Sequence, residues 1–268
     1  MATAFADLAL ARRLEMAEGR GNAAYVDAKA RLDPASGALW KDIGGTHAMF
    51  AGVGSPITQT FGLGLHQPLV EKDLDAIERF FRLRGSGVFH EVCPLSGVDV
   101  STLLAVRGYK PCEMSSVLFR SIEAGAEAAP SAPITVRVVS ASETPQYARI
   151  AAQGWSEHPE VMPFIEGFAQ LSIAAATCFF AERGGYPIAT AALFMHDRTA
   201  LLAGASTIPG GRRQGAQNAL LAARLRHAAA HGCDLAMMVA SPGSSSQRNA
   251  ERQGFRIAYT RTKWQLDA

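Results

Sequence analysis

The stretch Ala200-Leu-Leu-Ala-Gly-Ala-Ser-Thr-Ile-Pro-Gly-Gly-Arg-Arg-Gln-Gly-Ala-Gln-Asn218 decides how the rest of the chain is read. An apolar strand, Ala200–Ile208, runs into a sharp break at Pro209-Gly-Gly211. The loop Arg212-Arg-Gln-Gly-Ala-Gln217 comes next, then an alanine- and leucine-rich helix, Asn218–His231. A loop of this kind on a helix N-terminus turns backbone N–H groups outward. With the helix dipole, Arg212 and Arg213 add positive potential there, so the site favours an anion such as a phosphate.

Downstream of the helix, a buried strand is expected at Leu235–Val239, then a short helix closing on Gln253-Gly254-Phe255. Strands are expected around Arg256–Tyr259 and Thr262–Leu266. The first half of the chain has the same order. Asp73–Leu83 reads as a helix, Val88–Cys93 as a strand, and Val100–Arg107 as a short helix closing on Gly108-Tyr109, with strands around Pro111–Ser115 and Ser116–Arg120. The two Gly-aromatic closures lie 146 positions apart, and that offset lays Leu74 on Leu220, Val92 on Met238, Gly97 on Gly243 and Tyr109 on Phe255. Repetition on this scale implies duplication. Between the halves, a stretch without apolar period that carries two prolines reads as a linker. The expected organisation is therefore a first domain at 1–121, a linker at 122–134 and a second domain at 135–268. An N-terminal helix is expected over Ala4–Leu32. Opposite the Arg212–Gln217 loop, the first half places His66-Gln-Pro-Leu-Val-Glu71. Its proline lacks an N–H, the tight-turn glycine is missing, and its glutamate repels phosphate, so this copy has lost the anion site.

These residues resemble the GNAT superfamily of acyl-CoA-dependent N-acyltransferases. Its pyrophosphate loop, Gln/Arg-x-x-Gly-x-Gly/Ala, follows a strand ending in a Val-x-Pro-like turn. Here Thr207-Ile-Pro209 supplies the turn and Arg212–Gln217 the loop. The family's later strand, short helix and Gly-Phe closure correspond to Leu235–Val239, Ser246–Gln253 and Gly254-Phe255. The resemblance implies an α/β (mixed α+β) protein of two tandem GNAT-like domains, each a mixed, largely antiparallel sheet flanked by helices, with the N-terminal copy degenerate. It implies acetyl-CoA or another acyl-CoA as cosubstrate and an amine as acceptor. Two positions depart from the family pattern. Gln217 stands where glycine or alanine is preferred, and Ala250 stands where the family often has a tyrosine that protonates the leaving thiolate.

Transfer by direct attack of an amine on a thioester needs a held acyl-CoA, a base for the amine and donors for the oxyanion. The cofactor cradle implied by the resemblance comprises Thr207, Ile208, Arg212, Arg213, Gln214, Gly215, Ala216, Gln217 and Asn218, with Asn249 as a further contact. Ser206–Ile208 would run along the pantetheine arm in the manner of an added strand. For the base, Gln153-Gly-Trp-Ser-Glu-His-Pro-Glu160 supplies Glu157, His158 and Glu160 in the loop between two helices, each of which also reads as an exposed or capping residue. Glu182, on a strand Thr177–Arg183, shares a strand face with Phe180, and Ser206 is an orienting hydroxyl;. A chain that kept the cradle and lost acid and base would instead be a non-catalytic acyl-CoA or small-ligand binding module.

Bulk properties narrow the field without choosing. Charged residues make up 19% and the net charge is +2, so neither nucleic acid nor an anionic membrane is expected as partner;. The opening residues lack a secretory n-region, and no apolar run approaches the roughly 20 residues of a membrane span. Cys93, Cys112, Cys178 and Cys233 are scattered, without a Cys-x-x-Cys pair, and read as reduced core residues of a cytoplasmic protein;. His227 and His231 share a helix face but lack a third ligand, so no metal is expected. A homodimer is compatible with this reading.

Overall fold

The computed structural model describes residues 5–123 and 133–267. Most of the expected linker at 122–134, and the start of the expected first helix at Ala4, lie outside the described residues. In chain order the elements are α1 (Leu8–Leu32), β1 (Leu39–Ile43), β2 (Thr46–Phe50), β3 (Gln59–Phe61), α2 (Glu71–Arg82), β4 (Val88–Val92), α3 (Val98–Val106), β5 (Lys110–Ser121), β6 (Ile134–Val138), α4 (Thr144–Gln153), α5 (Met162–Ala175), β7 (Thr177–Arg183), β8 (Tyr186–His196), β9 (Thr199–Thr207), α6 (Ala216–Ala230), β10 (Leu235–Ala240), α7 (Ser245–Arg252) and β11 (Arg256–Leu266). The offset of 146 carries α2 onto α6, β4 onto β10, α3 onto α7 and β5 onto β11, each to within a few residues. Gly97 and Gly243, and likewise Gly108 and Gly254, share positive φ, a backbone need that only glycine meets cheaply;.

Two compact units form, Met1–Arg120 with Met237–Ala268, and Ser121–Ala236. In the first, β1, β2 and β3 are antiparallel neighbours, β3 and β4 are parallel, and β11 lies between β4 and β5, antiparallel to both. That pairing is why the C-terminal residues count with the N-terminal ones. Where two strands were expected at each Gly-aromatic exit, one long strand runs instead: β11 carries one extra residue, Ala258, and β5 one, Cys112, in their shared ladder. No turn-forming residue interrupts either segment, so a bulge suffices where a turn was expected. Leu74, Ile77 and Phe81 of α2 and Leu104 of α3 pack with Val88 and Val92 of β4 into one core.

α1 is capped by Asp7, whose side chain accepts from Leu10 N at 2.9 Å. Beneath it lies a buried charge cluster with no sequence forewarning. Arg261 of β11 donates to Glu18 at 2.6 and 2.8 Å and to Glu15 at 3.3 Å, and pairs with Glu91 at 2.9 Å. Tyr259 Oη donates to Glu15 at 2.9 Å. Cys112 corrects the expectation of four core cysteines: it sits in the exposed first half of β5, while Cys93, Cys178 and Cys233 are buried.

In the second unit β6, β7, β8 and β9 form an antiparallel run in that order. α4 and α5 cover one face through Tyr147, Ala148, Ala151 and Ala169, packed on Cys178 and Phe180. α6 lies against the opposite face, where His227 meets the Phe179 ring edge-on at 5.4 Å; strand alternation sends Phe179 and Phe180 to opposite helices. Both faces are covered, so the strand ends are what remain open for chemistry.

Candidate functional site

α6 starts at Ala216 with Gly215 as N-cap, two residues before the expected start. Gly215 has φ +85, and a Cβ built on it meets nothing within 4 Å. Conformation, not crowding, requires glycine here. Arg213 is also left-handed, at φ +59. The loop is braced by Gln214 Nε2 donating to the Gly210 carbonyl and Gln217 Nε2 donating to Thr207 Oγ1, both at 2.6 Å. The first helical bond is Ala219 N to Gly215 O at 3.0 Å. The amides of Ala216, Gln217 and Asn218 precede it and find no acceptor among the described residues, and the first turn holds no acidic side chain. Three orphan donors at the positive end of a helix suit an anion. The matching helix of the first unit is closed: α2 carries Glu71 and Asp73 in its first turn, and Asp73 fills the space a Cβ on Gly44 would need.

The loop joining α4 to α5 is tied to this cradle. Arg212 Nη1 donates to both oxygens of Glu157 at 2.9 Å, and its Nη2 to the Gly154 carbonyl at 3.1 Å. Arg183, at the end of β7, donates to Gln214 Oε1, adding a third arginine that sequence reading missed. Only strand register reveals it, since 31 residues separate the partners. A Cβ on Gly154 would sit 1.8 Å from Ser206 Oγ, so the end of α4 rests directly on the end of β9.

The four candidate catalytic residues are not brought together. Ser206 is buried and donates its proton to the Ala151 carbonyl at 2.8 Å, which makes it a tie between strand and helix. Both oxygens of Glu157 are engaged by Arg212. Glu182 shares the Phe180 face as alternation requires, but its partner is Arg137, whose Nε donates to it at 2.9 Å while the guanidinium lies 5.1 Å over the Phe180 ring. Arg137 also donates to Glu143 at 2.7 and 2.9 Å and, with the Ser140 amide, holds that carboxyl down at about 2. β8 separates β7 from β9, so Glu182 serves the edge strand β6. His158 remains exposed, its Nδ1 3.7 Å from Glu160 Oε1, with Trp155 half-exposed in the same loop. Asn249 is exposed on α7 in the other unit; that helix is capped by Ser244, which accepts from Gln247 N at 3.2 Å. Ala250 beside it is buried.

The β8–β9 ladder breaks register beside the cradle. Thr190 opposes Ser206 and Ala192 opposes Ala203, so Ala191 faces both Gly204 and Ala205. Gly204 takes φ +59, and it and Ala205 are exposed although they lie within the strand.

Residues 143–255 match the Acetyltransferase (GNAT) family. That span is similar to a GNAT acetyltransferase domain. In fold it is similar to a GCN5-related N-acetyltransferase from Kribbella flavida, 20% identical, with a TM-score of 0.66 and 95% of each chain covered. It is similar as well to one from Sphaerobacter thermophilus, 15% identical, TM-score 0.54, over 78% of this chain and 71% of the other. A tandem GNAT protein from the clavulanic acid biosynthesis pathway, 11% identical, has a TM-score of 0.59 over 83% of this chain and 78% of its own. No curated protein matches the sequence. The GNAT family moves acyl groups from coenzyme A and takes acetyl-CoA as cosubstrate. The cradle fits such a cosubstrate: amides without acceptors, a glycine with open space around it and no acid in the first turn. Among the described residues no helix is long and apolar enough to cross a membrane.

Proposed function

We propose that this GNAT protein moves an acetyl or similar acyl group from CoA to a primary amine by direct attack: the nitrogen bonds to the thioester carbon, its proton passes to a base, and the oxyanion so formed collapses as the C–S bond breaks and the CoA thiolate leaves. In this reading 135–268 is the acyl-CoA-binding repeat, 1–121 the degenerate one, and 122–134 the linker between them. The observation that carries it is the contrast between the open N-terminus of α6 and the acid-filled N-terminus of α2. The amides of Ala216, Gln217 and Asn218 hold the diphosphate, Gly215 lets the backbone approach, and Arg212 and Arg213 supply charge. Thr207 and Ile208 line the arm, and Gln214 braces the loop. Among the candidate bases, His158 keeps a ring nitrogen free of the groups around it, while Glu157, Glu182 and Ser206 are each held by a partner. Glu160 stands where it can orient the ring so that its free nitrogen takes the proton of the amine;.

Calorimetric titration with CoA tests the cradle. Arg212→Glu with Arg213→Glu is expected to weaken binding at least about tenfold, since two charges reverse beside a diphosphate. Unchanged affinity in the folded variant refutes the assignment. A second reading, a binding module without turnover, is favoured by Ala250, an apolar buried residue in the usual position of the thiolate's proton donor. Amine-dependent thiol release from acetyl-CoA across an amine panel separates the two.

A further inference from the structure

Arg224 lies in the third turn of α6 and is almost wholly buried. Its Nε donates to the Leu220 carbonyl at 3.3 Å. Its Nη1 donates to the Ala192 carbonyl on β8 at 3.2 Å and to the Ala203 carbonyl on β9 at 3.3 Å. No carboxylate pairs with it among the described residues, and burial lowers its pKa to about 10. A guanidinium without a counter-ion in a protein interior is costly, and hydrogen bonds to carbonyls are what offset that cost here. Ala192 and Ala203 are the regular pair next to the bulge. The arginine therefore grips both strands at the point where the ladder breaks. The bulge has glycine in the left-handed region as its extra residue, a form that twists the strand and turns local peptide groups out of the ladder.

We propose that Arg224 is a positioning residue for acyl transfer: by binding the Ala192 and Ala203 carbonyls it holds the β9 bulge open and polarises the Ala203–Gly204 peptide, whose N–H then donates more strongly to the oxygen of the reacting thioester. This rests on the acyl-transfer reading above. A donor to a carbonyl strengthens the N–H of the same peptide, and donors aimed at developing negative charge lower the barrier more than they aid ground-state binding. Arg224 therefore acts on turnover, while the α6 amides act on affinity.

The full chain with Arg224→Met and Arg224→Lys tests this through kcat, KM for acetyl-CoA, calorimetric CoA affinity and hydrogen exchange of 203–206. Arg224→Met is expected to lower kcat roughly 10- to 100-fold, leave CoA affinity within about threefold, and speed exchange at 203–206. Arg224→Lys, able to reach one carbonyl, is expected to recover part of both. A folded Arg224→Met variant with wild-type kcat, or kcat and CoA affinity falling together, overturns the proposal. Should that variant fail to fold, wild-type kcat with unchanged exchange in Arg224→Lys overturns it equally. A wild-type chain that binds no acyl-CoA sinks the transferase reading instead. The exchange comparison still decides whether Arg224 holds the bulge, and unchanged exchange at 203–206 overturns that.

Discussion

At the scale of single residues, the site depends on one absent side chain. Gly154 lets the end of α4 lie on Ser206 and Thr207, with no room for a methyl group. Gly154→Ala is expected to destabilise the protein by about 1–3 kcal/mol, the usual cost of overpacking. Adding Ser206→Ala removes the nearest clashing atom and is expected to restore part of the loss in a thermal melt. An equal melting temperature for Gly154→Ala and wild type would show that the helix end yields freely. His158 is tested by kinetics. With the role proposed, His158→Gln lowers kcat about 100-fold or more while CoA affinity holds. A kcat within threefold of wild type removes it as the base and returns attention to Glu157. None of this was legible from residue type alone. Glu157, Glu182 and Ser206 all had suitable chemistry, and only their partners (Arg212, Arg137 and the Ala151 carbonyl) told them apart.

At the scale of elements, α2 and α6 are the same helix in two electrostatic versions. Position 217 of α6 corresponds to Glu71 of α2 under the repeat offset, and Gln217→Glu converts one into the other locally. Opposite effects are expected. An acid in a first helical turn favours the dipole by about 0.3–1 kcal/mol, so thermal stability holds or rises. The same charge repels a diphosphate, so CoA binding weakens at least about tenfold. Affinity equal to wild type would mean that the anion sits elsewhere. This contrast was readable in the sequence because it is local: a helix start, a glycine and the presence or absence of acids within four residues. The helices α2, α3, α6 and α7 and the strands β4, β7, β9 and β10 were legible for the same reason, whereas β6 and β8 were not anticipated. What stayed hidden depends on register. The two expected strands after each Gly-aromatic closure are single strands, the bulge at Gly204 follows from pairing with β8, and the bonds of Arg224 cross two strands.

At the scale of the whole molecule, the charge cluster under α1 sets a dependence on pH. Glu15, Glu18 and Glu91 are three acids facing the cations Arg261 and Lys263, with Tyr259 and Cys93 close by. Burial pushes the Glu15 carboxyl up to about 7, opposed by Arg261 and reinforced by Glu18. Lys263 is shared with the exposed Glu113, and Glu15 is the acid that burial drives toward its protonated form;. Folded protein thus binds a proton that the unfolded chain has released above about pH 4.5. The contribution of Glu15 is full below that value and is lost as pH rises through about 7, a change of up to about 3 kcal/mol;. Melting temperatures measured from pH 5 to 8 are expected to fall for wild type and to fall less steeply for Glu15→Gln. Parallel curves would place the titrating group elsewhere.

The position of β11 between β4 and β5 has a consequence for biosynthesis. β11 starts 135 residues after the end of β5. At ordinary translation speeds of 5–20 residues per second, that gap is roughly 7–27 s. Throughout it the nascent N-terminal half exposes two strand edges that only the late-arriving segment can occupy. Completion of that half therefore waits for β11, and a ribosome stalled before residue 256 would hold an aggregation-prone client for chaperones.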